Sequence, residues 1–192
     1  MGCFRCRADF GCCRASPTIW MTLSRKLRLG CLLLLLVCTI GCDQTAKHIA
    51  RTELNQIDSF ALPGGLVELR LAENPGSFLS LGALLPDPAR FTVFTLGVGA
   101  GLGWLAAYLV CRARMDVWRF VGLSLVLAGG MSNLLDRLLR HGLVTDFITV
   151  HVGPVHTGVF NAADVMILIG VGVMLYAFRK RQPTGHGINP MQ

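Results

Sequence analysis

Asp146 and Asp164 are the residues of this sequence whose types and positions best suit acid–base chemistry. Asp164 follows Ala162 and Ala163 near the start of a long apolar segment, and Asp146 directly precedes the apolar run 147–150. Two close carboxylates can activate a water molecule, because their like charges keep one of them protonated. Taken singly, Asp146 also fits an ordinary turn carboxylate, and Asp164 also fits an acid favoured near a helix N-terminus.

Further polar residues border the same apolar segments. Asn133, Asp136 and Arg137 have helical i, i+3, i+4 spacing, so they share one face, and Asn161 lies one turn before Asp164. Ionisable groups at a membrane edge are costly to place and are functional candidates for that reason, although a salt-bridged helix end has the same pattern. The small residues at 129–130 would let a second helix, or a ligand, approach closely.

Other catalytic classes are not supported. The sequence has no Gly-x-Ser-x-Gly, His-Glu-x-x-His or Walker motif. Three histidines (His141, His151, His156) have the irregular spacing of surface residues, and the cysteines at 3, 6, 12 and 13 lack a second pair at zinc-finger spacing. We therefore expect no metal and no cofactor. No basic patch interleaved with aromatic residues indicates a nucleic-acid partner.

The composition is that of a membrane protein. The chain has 192 residues, of which 53% are hydrophobic and 15% charged, against about 25% charged in an ordinary soluble domain. We predict a mainly α, polytopic membrane protein: a four-transmembrane-helix bundle with a small extracytoplasmic β-layer. The spans are expected at about 27–48, 91–110, 117–138 and 159–178. Cys31, Cys38, Cys42 and Cys111 lie in or beside apolar runs, which favours buried small apolar residues.

The first apolar run, residues 29–42, has two interpretations. It is short for a span and follows three basic residues, which is typical of a signal peptide, and Thr39 to Cys42 resembles a lipoprotein cleavage site. Alternatively the helix continues past Asp43 and Lys47, which lie one turn apart and can pair. Three more apolar segments follow, so we favour a retained first span.

The segments outside the spans complete one domain, residues 25–180. Residues 66–71 alternate apolar and charged side chains between turn signals, which predicts a strand within an extracytoplasmic β segment at about 55–88. Residues 1–24 are expected to be a disordered cytoplasmic tail or a non-native start preceding Met21. Residues 181–192 are expected to form a second cytoplasmic tail.

The basic residues predict the orientation. With four spans and both termini cytoplasmic, the inner side holds 12 of the 18: six before residue 29, three at 112–119 and three at 179–181. That distribution fits the positive-inside rule. Asp43, Asn74 and the polar residues of 133–164 then converge on one outer layer.

Four motifs, in order, resemble the lipoprotein signal peptidase (signal peptidase II) family. They are Asp-Gln-Thr-Ala-Lys at 43–47, Asn-Pro-Gly-Ser-Phe-Leu-Ser at 74–80, the stretch from Gly129 to Ile148, and Phe-Asn-Ala-Ala-Asp at 160–164. The match covers roughly residues 25–180. It departs from the family at Leu79, where phenylalanine is usual, and in the long cysteine-containing N-terminus.

The resemblance implies an aspartic endopeptidase with Asp146 and Asp164 as the catalytic pair. Its binding or supporting residues would be Asp43, Lys47, Asn74, Gly76, Gly129, Asn133, Asp136, Arg137 and Asn161. The implied substrate is a diacylglyceryl-modified prolipoprotein, cleaved on the amino side of its lipidated cysteine by a monomeric enzyme of the bacterial inner membrane, in contact with membrane lipid.

Two other functions stay open on the sequence alone. A non-enzymatic membrane protein with an acidic relay would need ionisable residues spread through the membrane depth, whereas here they lie at one edge. A lipoprotein anchored at Cys42 would be incompatible with three further spans.

Overall fold

The structure is a computed structural model that describes residues 25–75, 86–112 and 115–180. The predictions for residues 1–24, for the part of the β segment at 76–85, including Gly76, and for residues 181–192 lie outside these described residues.

Long helices make up most of the fold. Helix α1 spans Arg25–Glu53 and ends in a 3₁₀ turn, Leu54–Gln56. A short α2 (Asp87–Phe91) leads through a π-helical turn (Thr92–Gly97) into α3 (Val98–Cys111). Helix α4 spans Val117–Leu139 and α5 spans Ala162–Arg179. In the described part of the chain, four helical segments are long and apolar enough to cross a membrane, which confirms the mainly α, four-helix prediction.

Two helix boundaries differ from the sequence prediction. Helix α1 does not stop near residue 48 but continues to Glu53, so Asp43 and Lys47 lie well inside it. Helix α5 begins at Ala162 rather than at 159. The reason is that Phe160 is bonded to a strand: its N–H donates to the Ile148 carbonyl, and its carbonyl accepts from the N–H groups of Phe147 and Ile148.

A small antiparallel sheet lies at one end of the helices. Its strands are β1 (Phe60–Ala61), β2 (Val67–Asn74), β3 (Val144–Val152) and β4 (Val155–His156), in that spatial order. The predicted β-layer is therefore present, and its longest strand, β3, comes from the connection between α4 and α5. Phe147 of β3 packs against Ala50 and Leu54 at the end of α1, which fixes the sheet to the bundle.

Glycine allows α4 and α5 to approach closely. A Cβ at Gly122 would lie 2.8 Å from the Gly170 carbonyl oxygen, and a Cβ at Gly129 would lie 2.4 Å from that of Ala163. On the other side of α4, Leu127 joins Leu32 of α1 and Leu102 and Leu109 of α3 in a buried cluster. The residue expected to admit a helix or a ligand, Gly129, thus admits a helix.

The prediction of buried cysteines is wrong for the four that the structure describes. Cys31, Cys38, Cys42 and Cys111 are free thiols on exposed helix surfaces. An apolar run in a membrane helix is surrounded partly by lipid, so apolar character does not require burial inside the protein.

Candidate active site

The β2–β3 pairing places Asp146. A tight turn at His141–Gly142 follows α4, with both residues at positive φ, and leads the chain back as β3. Asp146 lies opposite Ala72 in the register, so Asn74, two residues further along β2, lies on the same face of the sheet. The Asn74 amide donates to Asp146 Oδ2 at 3.0 Å.

The start of α5 places Asp164. Asn161 is the N-cap: its Oδ1 accepts from the Asp164 N–H at 3.0 Å, and its own N–H donates to Asp164 Oδ2 at 3.3 Å. This reciprocal capping box holds the Asp164 side chain against the helix end. Asp164 is therefore part of the helix cap, and this role does not exclude the catalytic role that the sequence suggests.

Two asparagines connect the carboxylates. Asn161 Nδ2 donates to Asp146 Oδ1 at 2.6 Å and to Asn133 Oδ1 at 3.1 Å. Asn133 Nδ2 in turn donates to Asp164 Oδ1 at 2.9 Å. Asn161 is fully buried and Asn133 nearly so. Each carboxylate oxygen of Asp146 and Asp164 thus accepts one hydrogen bond from a neutral amide group.

Two further aspartates, Asp43 and Asp136, are bound to a cation. Lys47 Nζ lies 2.8 Å from Asp43 Oδ2 and 2.9 Å from Asp136 Oδ2, and all three side chains are buried. Asp43 also accepts from Ser132 Oγ and from the Ala163 N–H, so the ion cluster joins α1, α4 and α5. These two carboxylates share one ammonium as their ion-pair partner, whereas Asp146 and Asp164 are held by amides.

The electrostatic surroundings favour a proton on the pair. Burial raises the pKa of Asp146 to about 6, the Asn74 amide opposes that rise, and the charge of Asp164 adds to it. Proximity of a second carboxylate is a recognised way to keep one acid protonated near neutral pH. A base and an acid can therefore coexist at this site.

The family is decided by comparison with known proteins. The sequence profile described as "Signal peptidase (SPase) II" matches residues 35–180. The chain belongs to the signal peptidase II family. That family membership makes it a membrane peptidase, and it disfavours both the relay protein and the lipoprotein anchored at Cys42.

Lipoprotein signal peptidases from several bacteria are similar in sequence to this chain. The lipoprotein signal peptidase of Leifsonia xyli is 32% identical over 171 residues, covering 84% of this chain and 74% of the relative. That of Syntrophus aciditrophicus is 37% identical over 132 residues (67% and 80%), and that of Streptococcus agalactiae is 32% identical over 152 residues (78% and 92%).

Two solved bacterial membrane enzymes have the same fold. One superposes with a TM-score of 0.68 at 26% identity, covering 85% of this chain and 95% of its own. The other has a TM-score of 0.70 at 27% identity, covering 80% and 95%.

The structure brings the predicted site residues together with few exceptions. Asp43, Lys47, Asn74, Asn133, Asp136, Asp146, Asn161 and Asp164 form one hydrogen-bonded network. Gly129 lies next to this network, where α4 packs against the backbone of Ala163 in α5. Sequence reasoning did not select Ser132, which donates to Asp43, or Gln44, which donates to Asp136 at 3.0 Å. Both could have been found, since Gln44 is part of the first motif and Ser132 precedes Asn133.

Arg137 does not pair with Asp136, whose cationic partner is Lys47 of α1. Its half-buried guanidinium is within electrostatic range of Asp136, Asp146 and Asp164, and its Nε has no hydrogen-bond partner among the described residues. Its role as a binding or supporting residue, which the resemblance implies, stays a prediction. Among the histidines, His151 binds Glu68 at 2.7 Å on the sheet.

Proposed function

We propose that this chain is an aspartic endopeptidase that removes signal peptides from diacylglyceryl-modified prolipoproteins, cutting on the amino side of the lipidated cysteine. The observation that carries the proposal is the contrast among the four aspartates of the hydrogen-bonded network. Asp43 and Asp136 are paired with Lys47, while Asp146 and Asp164 are held side by side through neutral amides. The second pair is the one available for proton transfer.

The proposed reaction needs one proton on the pair. Asp164 is the less buried of the two and acts as the base. It takes a proton from water as the water oxygen attacks the scissile carbonyl carbon, and Asp146 gives its proton to the carbonyl oxygen. In the second step Asp164 protonates the leaving nitrogen, the C–N bond breaks, and the gem-diol hydroxyl returns a proton to Asp146.

The position of the site suits a lipid-modified substrate. All the network residues lie at one end of the helices, next to the sheet, and the positive-inside rule puts that end outside the cytoplasm with both termini inside. A lipidated peptide can reach this level from the bilayer while water reaches it from the extracytoplasmic side. Arg137, beside the pair, would contact the peptide backbone of the substrate.

The test is cleavage of a synthetic diacylglyceryl prolipoprotein by the purified protein. Asp146→Asn and Asp164→Asn should each abolish turnover while still binding the substrate in a crosslinking assay. Asp58→Asn, an exposed acid outside the network, is the matched control and should keep the wild-type rate.

Two further arms test the substrate and the chemistry. The same peptide without its diacylglyceryl group should be cleaved poorly, and EDTA should leave the rate unchanged. Substantial turnover by either network Asp→Asn variant would refute the aspartic mechanism. Equal cleavage of the unlipidated peptide would refute the proposed substrate class.

A further inference from the structure

Lys47 is a completely buried lysine whose third contact is not an acid. An ammonium group has three N–H donors. Two of them serve Asp43 and Asp136, and the third donates to Asn133 Oδ1 at 2.8 Å. Ion pairing with the two carboxylates would not need that third bond, which connects the ion cluster to the amides that hold the catalytic pair.

The bond to Lys47 fixes the direction of the Asn133 amide. Asn133 Oδ1 accepts from Lys47 and from Asn161 Nδ2, so its NH₂ group must face Asp164 Oδ1. The reversed amide would set NH₂ against the ammonium and an oxygen against a carboxylate, which are two repulsive contacts. One amide oxygen, held by the lysine, thereby also orients Asn161, whose Nδ2 reaches Asp146 at 2.6 Å.

We propose that Lys47 is a positioning residue for catalysis: its charge orients Asn133, and through it Asn161, so that both aspartates are held in the productive arrangement. The inference rests on the proposed function of Asp146 and Asp164. Lys47 does not touch the reacting atoms. Its influence passes through an amide that contacts one aspartate directly and the other through a second amide.

A purely structural lysine would only pair with Asp43 and Asp136. The two roles separate in the variant Asp43→Asn/Lys47→Met, which removes one negative and one positive charge together and so leaves the net charge of the cluster unchanged. Asp136 keeps its hydrogen bonds from Gln44 Nε2 and the Thr145 N–H. The new asparagine can still accept from the Ala163 N–H and bond to Ser132, as Asp43 does. Compared with Lys47→Met alone, the double variant should regain thermal stability in detergent.

The double variant should nevertheless lose kcat by about 100-fold, the scale expected when catalytic groups are misplaced by about 1 Å. KM should change little, because Lys47 does not contact the substrate. Wild-type kcat in this variant would overturn the proposal. So would its failure to fold, because the lysine would then be needed for stability even when the net charge of the cluster is unchanged.

A double-mutant cycle tests whether Lys47 acts through Asn133. On an Asn133→Ala background, the Asp43→Asn/Lys47→Met change should lower kcat by no more than about twofold. The reason is that the residue through which Lys47 is proposed to act is already absent. On an Asn74→Ala background, the matched control, the full loss of about 100-fold should persist. Asn74 binds the other oxygen of Asp146 and belongs to β2.

If the losses in kcat multiply on both backgrounds, Lys47 does not act through Asn133 and the proposal is wrong. The Asp→Asn variants of the catalytic pair separate this outcome from failure of the proposed function. If they remain active, the aspartic mechanism itself fails. If they are inactive while the cycle is multiplicative, only the role of Lys47 fails.

Discussion

The contact between Gly129 and Ala163 gives a quantitative prediction about activity. A Cβ added at Gly129 would lie 2.4 Å from the Ala163 carbonyl oxygen, whereas ordinary contact begins at 3.4 Å. The Ala163 oxygen is backbone and cannot rotate away, so Gly129→Ala must separate α4 from α5 by about 1 Å, and dense packing transmits that shift. Ala163 directly precedes Asp164, which therefore moves away from Asn133.

That displacement should break the network. The Asn133–Asp164 hydrogen bond is 2.9 Å long, and a further 1 Å would take it beyond the range of a real hydrogen bond. We expect Gly129→Ala to lower kcat by about 100-fold. The measurement is steady-state cleavage of the lipidated peptide, with thermal denaturation in detergent to show that the protein remains folded.

Two glycines supply matched controls for this substitution. A Cβ at Gly101 on α3 meets nothing within 4 Å, so Gly101→Ala should keep wild-type kcat. Gly122→Ala creates a similar clash with Gly170, two turns from Gly129 towards the other end of α4, and should reduce thermal stability more than kcat. Wild-type kcat for a folded Gly129→Ala variant would refute the argument that the α4–α5 distance sets the geometry of the pair.

Three further predictions concern protonation, the cap and the orientation. Because the pKa of Asp146 is raised to about 6, kcat/KM should fall as pH rises through that value and the shared proton is lost. An unfolded aspartate titrates near pH ~3.9, so the folded state holds an extra proton between these values. The free energy of unfolding should therefore fall as pH rises through this window, and a wild-type pH dependence equal to that of Asp146→Asn would contradict this. Asn161→Ala removes a donor to the pair and should reduce kcat by about 100- to 1000-fold, with about 1 kcal/mol lost from the α5 cap; full activity would show that the amide is dispensable. A single cysteine at Val155 on β4 should react with an impermeant reagent from outside and one at position 184 only from inside, and the reverse pattern would place the site in the cytoplasm.

The helices, and the end of the bundle at which the site lies, were predictable because both depend on patterns along the sequence. Apolar runs of sufficient length predict spans, and the positions of basic residues predict which ends share a side. Asp43, Asn133, Asp146 and Asp164 could therefore be assigned to one layer before any contact was known.

The pairings inside that layer were not predictable in the same way. Asn74 reaches Asp146 only through a β2–β3 register between segments about 70 residues apart in sequence, and nothing local to either strand specifies that pairing. Asp136 lies next to Arg137 in sequence, yet it binds a lysine on another helix. Proximity in the sequence would suggest Arg137 as the partner of Asp136, but α1 packs its buried Lys47 against α4 and supplies the cation instead.

The Ala163 N–H bond to Asp43 has a consequence for the order of events during biogenesis. Asp43 lies in α1, the first of the four described spans in chain order, and Ala163 lies in the first turn of α5, the last of these four. Asp164 and its cap Asn161 also belong to α5, so a chain in which only the first three of these spans have been inserted lacks one of the two aspartates proposed to be catalytic. If the proposed aspartic mechanism holds, proteolytic activity should therefore arise only when α5 docks against α1 and α4.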